Sequence, residues 1–344
     1  MSFPYYGRVD GQLDQIPVEL PIPWLSRIGD AGAYRPDPGL ADAVNVALLL
    51  GQPLLVTGEP GTGKTQLAWH LSRQVLGTDP SGKLREPLVF EAKTNSTSRE
   101  LFYSFDTLGR FHQAREGSSR NIDYITYNAL GKAILLANPV AKISQWLPNP
   151  ASGFLHDGPR RSVVLIDEVD KAPRDFPNDI LNEVEHMYFR VPELGNEAIS
   201  APAEMKPILI ITSNSEKSLP DAFLRRCVYY NIPFPDRDRL LGIVQGRMED
   251  LRDAPGPYLQ EALDFFLLLR GDRSGLRKKP ATAELLGWLV YLGDRIPDKR
   301  QPLRQHPEVL GASLSALVKS AEDQGAANLL LKEWLSASQD TVRK

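Results

Sequence analysis

A chain of 344 residues is too long for one small core and has room for two domains. With 42% hydrophobic and 24% charged residues it is neither disordered nor fibrous, and its net charge of −3 excludes the basic excess of a sequence-independent nucleic-acid binder. A single cysteine, Cys227, excludes an internal disulfide framework and a cysteine-based zinc site, and fits a reducing, cytoplasmic compartment.

Taken from the N-terminus, MSFPYYGRVD lacks a basic stretch followed by an apolar core, and no apolar run is long enough to span a bilayer. Export and membrane insertion are not expected. Pro17, Pro21, Pro23, Pro36 and Pro38 prevent a continuous helix, so residues 1–39 are read as an extended arm whose Trp24 and Leu25 dock on a neighbour. LADAVNVALLL, Leu40–Leu50, predicts a helix, and PLLVTG, Pro53–Gly58, a short buried strand. PLVFEA after Pro87, SVVLID (Ser162–Asp167) and PILIITSN (Pro207–Asn214) read as strands buried on both faces, and CVYYNIPF (Cys227–Phe234) as a fifth strand. Between them lie amphipathic stretches such as NDILNEVEHM, Asn178–Met187, with Ile180, Val184 and Met187 on one stripe. The proline-bearing segment from Gly117 to Arg160 reads as a loop-rich insertion over the sheet.

After Pro235 the strand pattern stops and only helices follow: DRLLGIVQGRM, YLQEALDFFLLLR, TAELLGWLVYL and a stretch from about Leu310 to Leu335. The fold class is therefore α/β, a parallel sheet flanked by helices and followed by a smaller all-α domain. The predicted division is an arm at 1–39, an α/β domain at 40–235 and a helical domain at 236–344.

Three segments carry chemistry. GEPGTGKT, Gly58–Thr65, satisfies G-x-x-x-x-G-K-[ST] between a predicted strand and a predicted helix. Gly58, Gly61 and Gly63 let successive N–H groups of this loop, which also holds Glu59, Pro60 and Thr62, converge on phosphate oxygens, with Pro60 itself contributing no N–H. Lys64 reaches the β- and γ-phosphates, Thr65 ligates magnesium, and Gln66 lies in the helix whose N-terminal dipole faces the anion. VVLIDEVD, Val163–Asp170, delivers two adjacent carboxylates at a strand's carboxyl end, where ligands of open α/β sheets bind. Asp167 is placed to hold the magnesium and Glu168 to deprotonate an attacking water; the bland alternative is a solvated turn. Asn214, ending PILIITSN, either holds the γ-phosphate or the water, or is an ordinary turn former.

GEPGTGKTQLA, IDEVDKAP, ITSN and LPDAFLRRC, in that order over roughly residues 34–295, resemble the AAA+ superfamily and, within it, the MoxR-like and dynein-related branch. The resemblance implies that GEPGTGKT is the Walker A motif, VVLIDE the Walker B motif and Asn214 sensor 1. LPDAFLRRC is similar to the segment carrying the arginine finger, which implies Arg226, with Arg225 as second candidate or partner; surface salt bridges are the alternative. A basic sensor 2 residue is expected in LRKKPATAELL, where the S-P-R pattern of typical MoxR proteins is missing and Lys279 or Arg277 takes its place. ELFYSFD, Glu100–Asp106, falls where related rings carry pore loops, or is an aromatic core cluster; Tyr34 and Arg35 fall where adenine is covered.

The resemblance further implies an ATPase with ATP and magnesium as cofactors, working as a ring, expected to be hexameric, in which hydrolysis moves the helical lid against the sheet domain and remodels a client. A partner with a von Willebrand factor A domain is expected by analogy. The competing readings are the motor of a nucleic-acid-directed defence or restriction complex, a nucleotide-dependent assembly switch with slow turnover, and a small-molecule kinase. No Ser-His-Asp constellation is visible among His70, His112, His156, His186 and His306.

Overall fold

The computed structural model describes residue 23 and residues 34–113, 120–148, 154–215, 219–252 and 256–337. The predicted arm, with Trp24 and Leu25, therefore lies almost wholly outside the described residues. Tyr34–Phe234 form one compact unit, and the residues from Pro235 onward belong to another.

The first unit begins with helix α1, Pro38–Leu50. Asp37 caps it by accepting the Gly39 N–H at 2.9 Å, Pro38 sits in its first turn, and Gly51 ends it in the left-handed conformation at φ 62°. Strand β1, Leu54–Gly58, follows, then α2, Lys64–Leu76, and β2, Leu88–Glu91. A small antiparallel pair, β3 (Tyr103–Phe105) and β4 (Ile125–Tyr127), flanks α3, Thr107–Gln113. Helices α4, Ala129–Leu136, and α5, Val140–Ile143, lead to β5, Val163–Asp167. After it come α6 (Phe176–Asp179), α7 (Leu181–His186), the antiparallel pair β6 (Tyr188–Arg190) and β7 (Ala198–Ser200), β8 (Ile208–Thr212), α8 (Asp221–Leu224) and β9 (Val228–Ile232).

The sheet has five strands in the order β2-β5-β8-β1-β9, with every neighbour parallel. Successive residues of a strand face opposite sides, so each central strand feeds two cores. Leu55, Val164, Ile166, Leu209 and Ile211 pack with α4, Phe176 and Ile180 on one face. Leu54, Val56, Val163, Leu165 and Ile210 pack with Leu40, Val44, Leu67 and Leu71 on the other. The Tyr230 hydroxyl donates to Asp37 at 2.6 Å, which ties the start of α1 to the edge strand β9.

Three expectations are corrected, and one open alternative is decided. PLVFEA is an edge strand, not one buried on both faces: Leu88 and Phe90 are half-buried, while Val89 is 40% exposed. The helix expected over Asn178–Met187 breaks at Ile180 into α6 and α7, although Ile180, Val184 and Met187 do share the core. The segment expected as a loop-rich insertion contains α4, seven of whose eight residues are buried. Phe102 and Tyr103 of ELFYSFD are buried at 5% and 2% exposure, so these aromatics are core.

The second unit is helical: α9 (Arg237–Arg247), α10 (Pro257–Arg270), α11 (Thr282–Arg295), α12 (Pro307–Leu317) and α13 (Ala321–Ser336). Tyr258, Phe265, Phe266 and Trp288 fill its core, and the Trp288 indole N–H donates to Ser313 at 2.8 Å. The stretch expected over Leu310–Leu335 is two helices, because Ser320 caps α13 by accepting the Asp323 N–H. No helix among the described residues is long and apolar enough to cross a membrane.

Candidate active site

Three adjacent central strands, β5, β8 and β1, end on the same edge of the sheet, and the residues just past their carboxyl ends meet there. Past β1 the chain turns through Gly58–Gly63 into α2. Gly63 takes φ 91°, and a Cβ on it would stand 2.8 Å from the Tyr34 ring. A Cβ on Gly58, at φ 145°, would stand 2.7 Å from the Ile232 carbonyl oxygen. Glycine is required at both by conformation and by space. The turn is braced from inside, since the Thr62 hydroxyl donates to the Glu59 carbonyl at 2.8 Å.

Lys64, only 7% exposed, turns its ammonium back into this loop. Nζ donates to the carbonyls of Gly58 (2.8 Å) and Glu59 (3.0 Å) and to Asn214 Oδ1 (3.0 Å). Burial lowers its pKa, and the carboxylates of Asp170, Asp167, Glu168 and Glu59 pull the other way. A cation held among four carboxylates and two carbonyls is poised to exchange its acceptors for phosphate oxygens. The neighbouring Thr65 hydroxyl donates to Asp167 at 3.0 Å from Oδ1 and 3.2 Å from Oδ2. In Gln66 the side-chain oxygen is buried and meets no donor.

Glu168 has a left-handed backbone, φ 55° and ψ 52°, which costs about 1–2 kcal/mol for a residue with a side chain. Lys171, three residues on, pairs with that carboxylate and is the main reason its pKa is lowered; Asn214 Nδ2 donates to Glu168 Oε1 at 3.4 Å. Asn214 is itself oriented by its N–H, which donates to Asp170 at 3.2 Å. Lys64, Thr65, Asp167, Glu168 and Asn214 thus form one network, its Lys64–Asn214–Glu168 and Thr65–Asp167 bonds joined through the adjacent positions of Asp167 and Glu168 in the chain.

Thr212, Asp170 and Lys171 join that network without having been read from the sequence. Thr212 is fully buried; its hydroxyl donates to Asp167 Oδ1 at 2.6 Å and accepts the Glu168 N–H at 2.8 Å. A threonine within an aliphatic strand reads as β-propensity alone, and only its place two residues before Asn214 marks it.

The donors at Thr65 and Asp167 are oxygen only, the set that suits a small hard divalent cation such as magnesium. Among the described residues no group of three or more His, Cys, Asp or Glu can hold a metal alone. A magnesium ion held there would take the rest of its shell from phosphate and water, as it does in nucleotide sites.

Arg226 donates to Glu185 at 2.8 Å and to the Ala222 carbonyl at 3.1 Å, and Arg225 beside it is exposed. Cys227, next in the chain, faces the core, and burial pushes its thiol up to about 12. In the helical unit Lys279 pairs with Asp272 at 2.9 Å and Arg277 pairs with Glu322. Tyr34 packs on Gly63 and makes an edge contact with His70 at 5.5 Å between ring centres, while Arg35 is exposed.

Residues 53–227, half of the chain, match the family model described as AAA domain (dynein-related subfamily). No curated protein matches the chain.

Proposed function

The chain belongs to the dynein-related subfamily of AAA-domain proteins, a family of nucleotide-dependent ATPases, and from that premise we propose that it hydrolyses ATP in a ring whose sites are completed by neighbouring subunits. The observation that carries the proposal is the network of Lys64, Thr65, Asp167, Glu168 and Asn214 at one edge of the sheet. A phosphate-binding loop, a metal-binding carboxylate and a base are the parts that phosphoanhydride hydrolysis needs.

Lys64 releases the Gly58 and Glu59 carbonyls to take phosphate oxygens, and the loop from Gly58 to Gly63 turns its N–H groups toward the same charge. Thr65 and Asp167 would hold magnesium, which when bound would neutralise charge on the phosphates. Glu168 is ionised at neutral pH and accepts the proton of the attacking water on its carboxylate. Asn214 grips that carboxylate from the β8 side and, through its oxygen, the Lys64 ammonium. Arg226 is offered to the nucleotide of the next subunit, which accounts for an exposed arginine on a short turn anchored by the buried Phe223. We place the protein in the MoxR-like branch, coupling turnover to the remodelling or assembly of a partner protein, with a von Willebrand factor A domain as the expected partner.

Turnover of ATP and of GTP, measured across a range of protein concentration for wild type and Glu168→Gln, tests this reading. Wild type is expected to hydrolyse ATP with an activity per subunit that rises as the protein assembles. Glu168→Gln is expected to bind fluorescent ATP normally and to lose about 10²–10⁴-fold in turnover. Equal turnover in the two proteins overturns the assignment of the base.

A further inference from the structure

We propose that Thr212 is a positioning residue for hydrolysis, a single hydroxyl that holds the metal-binding carboxylate of Asp167 and the backbone turn aiming Glu168 at the same time. The inference rests on the reading of Asp167 and Glu168 above and extends it to a residue in the neighbouring strand.

A threonine hydroxyl has one proton to give and lone pairs to receive another. Both capacities are used here. The proton goes to Asp167 Oδ1 at 2.6 Å, a short hydroxyl-to-carboxyl bond, and a lone pair takes the Glu168 N–H at 2.8 Å. Thr212 is the last residue of β8, fully buried, and its strand is paired with both β5 and β1, so the hydroxyl cannot drift.

The two bonds address two different difficulties. Asp167 Oδ1 also receives the Thr65 hydroxyl at 3.0 Å. When Thr65 turns to a cation that bond is lost, and the Thr212 bond is the one that still fixes the carboxylate. Glu168 is left-handed at φ 55°, a conformation retained only where the surroundings impose it. Its N–H has one partner to impose it, the Thr212 oxygen. Removing that oxygen leaves a half-buried N–H without an acceptor and lets the residue relax toward the extended conformation of β5, which swings the base away.

The substitutions Thr212→Val, which keeps the shape and removes the hydroxyl, and Thr212→Ser, which keeps the hydroxyl and removes a methyl, separate this role from packing. Thr212→Val is expected to lower kcat about 10- to 100-fold with KM for ATP within about 3-fold, the loss that follows when a bond to a charged group disappears. Binding of a fluorescent ATP analogue is expected to be unchanged in EDTA and weakened several-fold in magnesium. Thr212→Ser is expected to recover most of both. Melting temperatures identify any folding defect, and where Thr212→Val does not fold, Thr212→Ala takes its place.

Wild-type kcat and magnesium dependence in a folded Thr212→Val protein overturn the inference. So does an equal loss in Thr212→Val and Thr212→Ser, which makes the methyl rather than the hydroxyl responsible. If instead wild type and Glu168→Gln turn over alike, it is the assignment of the base that fails, and the two failures are told apart within one experiment.

Discussion

Two cationic regions of the α/β unit are built in opposite ways. At the ends of β1, β5 and β8 the partners come from distant parts of the chain: Lys64 with Asn214, Thr65 with Asp167, Thr212 with Asp167. Lys64 and Thr212 are 7% and 0% exposed. In the turn that follows α8, Arg226 bonds the carbonyl four residues back and one carboxylate, in a pair whose side chains are 45% and 49% exposed. The first region is complete within one chain. The second is fastened to the core by Phe223 and Cys227 yet presents its arginines to solvent, as the role proposed for Arg226 requires.

The largest effect that follows from this difference is on Arg226→Ala. Its partner pair is exposed, so folding and nucleotide binding are expected to be those of wild type. Turnover is expected to fall by about 10³-fold or more, the scale on which arginine fingers act. Mixing Arg226→Ala subunits with Lys64→Ala subunits sharpens the point: a ring in which one subunit supplies the loop and its neighbour the arginine regains part of the activity. If mixing restores nothing and Arg226→Ala loses nothing, the arginine turn is an ordinary surface and the contrast with the buried region has no functional meaning.

Next in size is Lys64→Ala, which acts within one chain. It removes a charge-assisted grip on the triphosphate and is expected to weaken ATP binding roughly 10- to 100-fold at any protein concentration. Titration of fluorescent ATP at concentrations below assembly measures it. An unchanged affinity breaks the claim that the buried region is the phosphate site.

The same contrast explains what was legible in the sequence. The phosphate loop and the carboxylate pair are contiguous strings, and the five strands are apolar runs bounded by turns, so periodicity and motif spacing locate them. Thr212 is invisible that way because its role depends on two residues of another strand. The edge position of β2 is equally non-local: LVFE looks like a central strand until its missing neighbour exposes Val89. Helix α4 is eight residues long, too short for its period to declare itself among prolines. It packs so closely that a Cβ on Gly131 would stand 2.0 Å from the Phe102 carbonyl oxygen, a constraint set by the segment just before β3 and not by the helix. The break at Ile180 belongs with these, a turn set by burying Phe176, Ile180 and Val184 together.

The smallest effect is expected at Glu185, the carboxylate on which Arg226 rests. Both side chains are about half exposed, so their attraction is screened by water and salt and is opposed by the entropy of holding two long side chains in one place. Arg226 lowers the pKa of Glu185 through a hydrogen bond, but at so open a site that direction does not translate into appreciable stability. Glu185→Gln is therefore expected to shift the melting temperature by no more than about 2 °C. Turnover is expected to stay at the wild-type level or rise slightly, because an arginine without its resting partner reaches a neighbouring nucleotide more readily. A melting temperature that drops as far as that of a core substitution would mean the arginine turn is knitted into the fold as firmly as Lys64 is. The arginine would then have to be torn from its own subunit before it could serve another, and a shared site built on it would lose its physical basis.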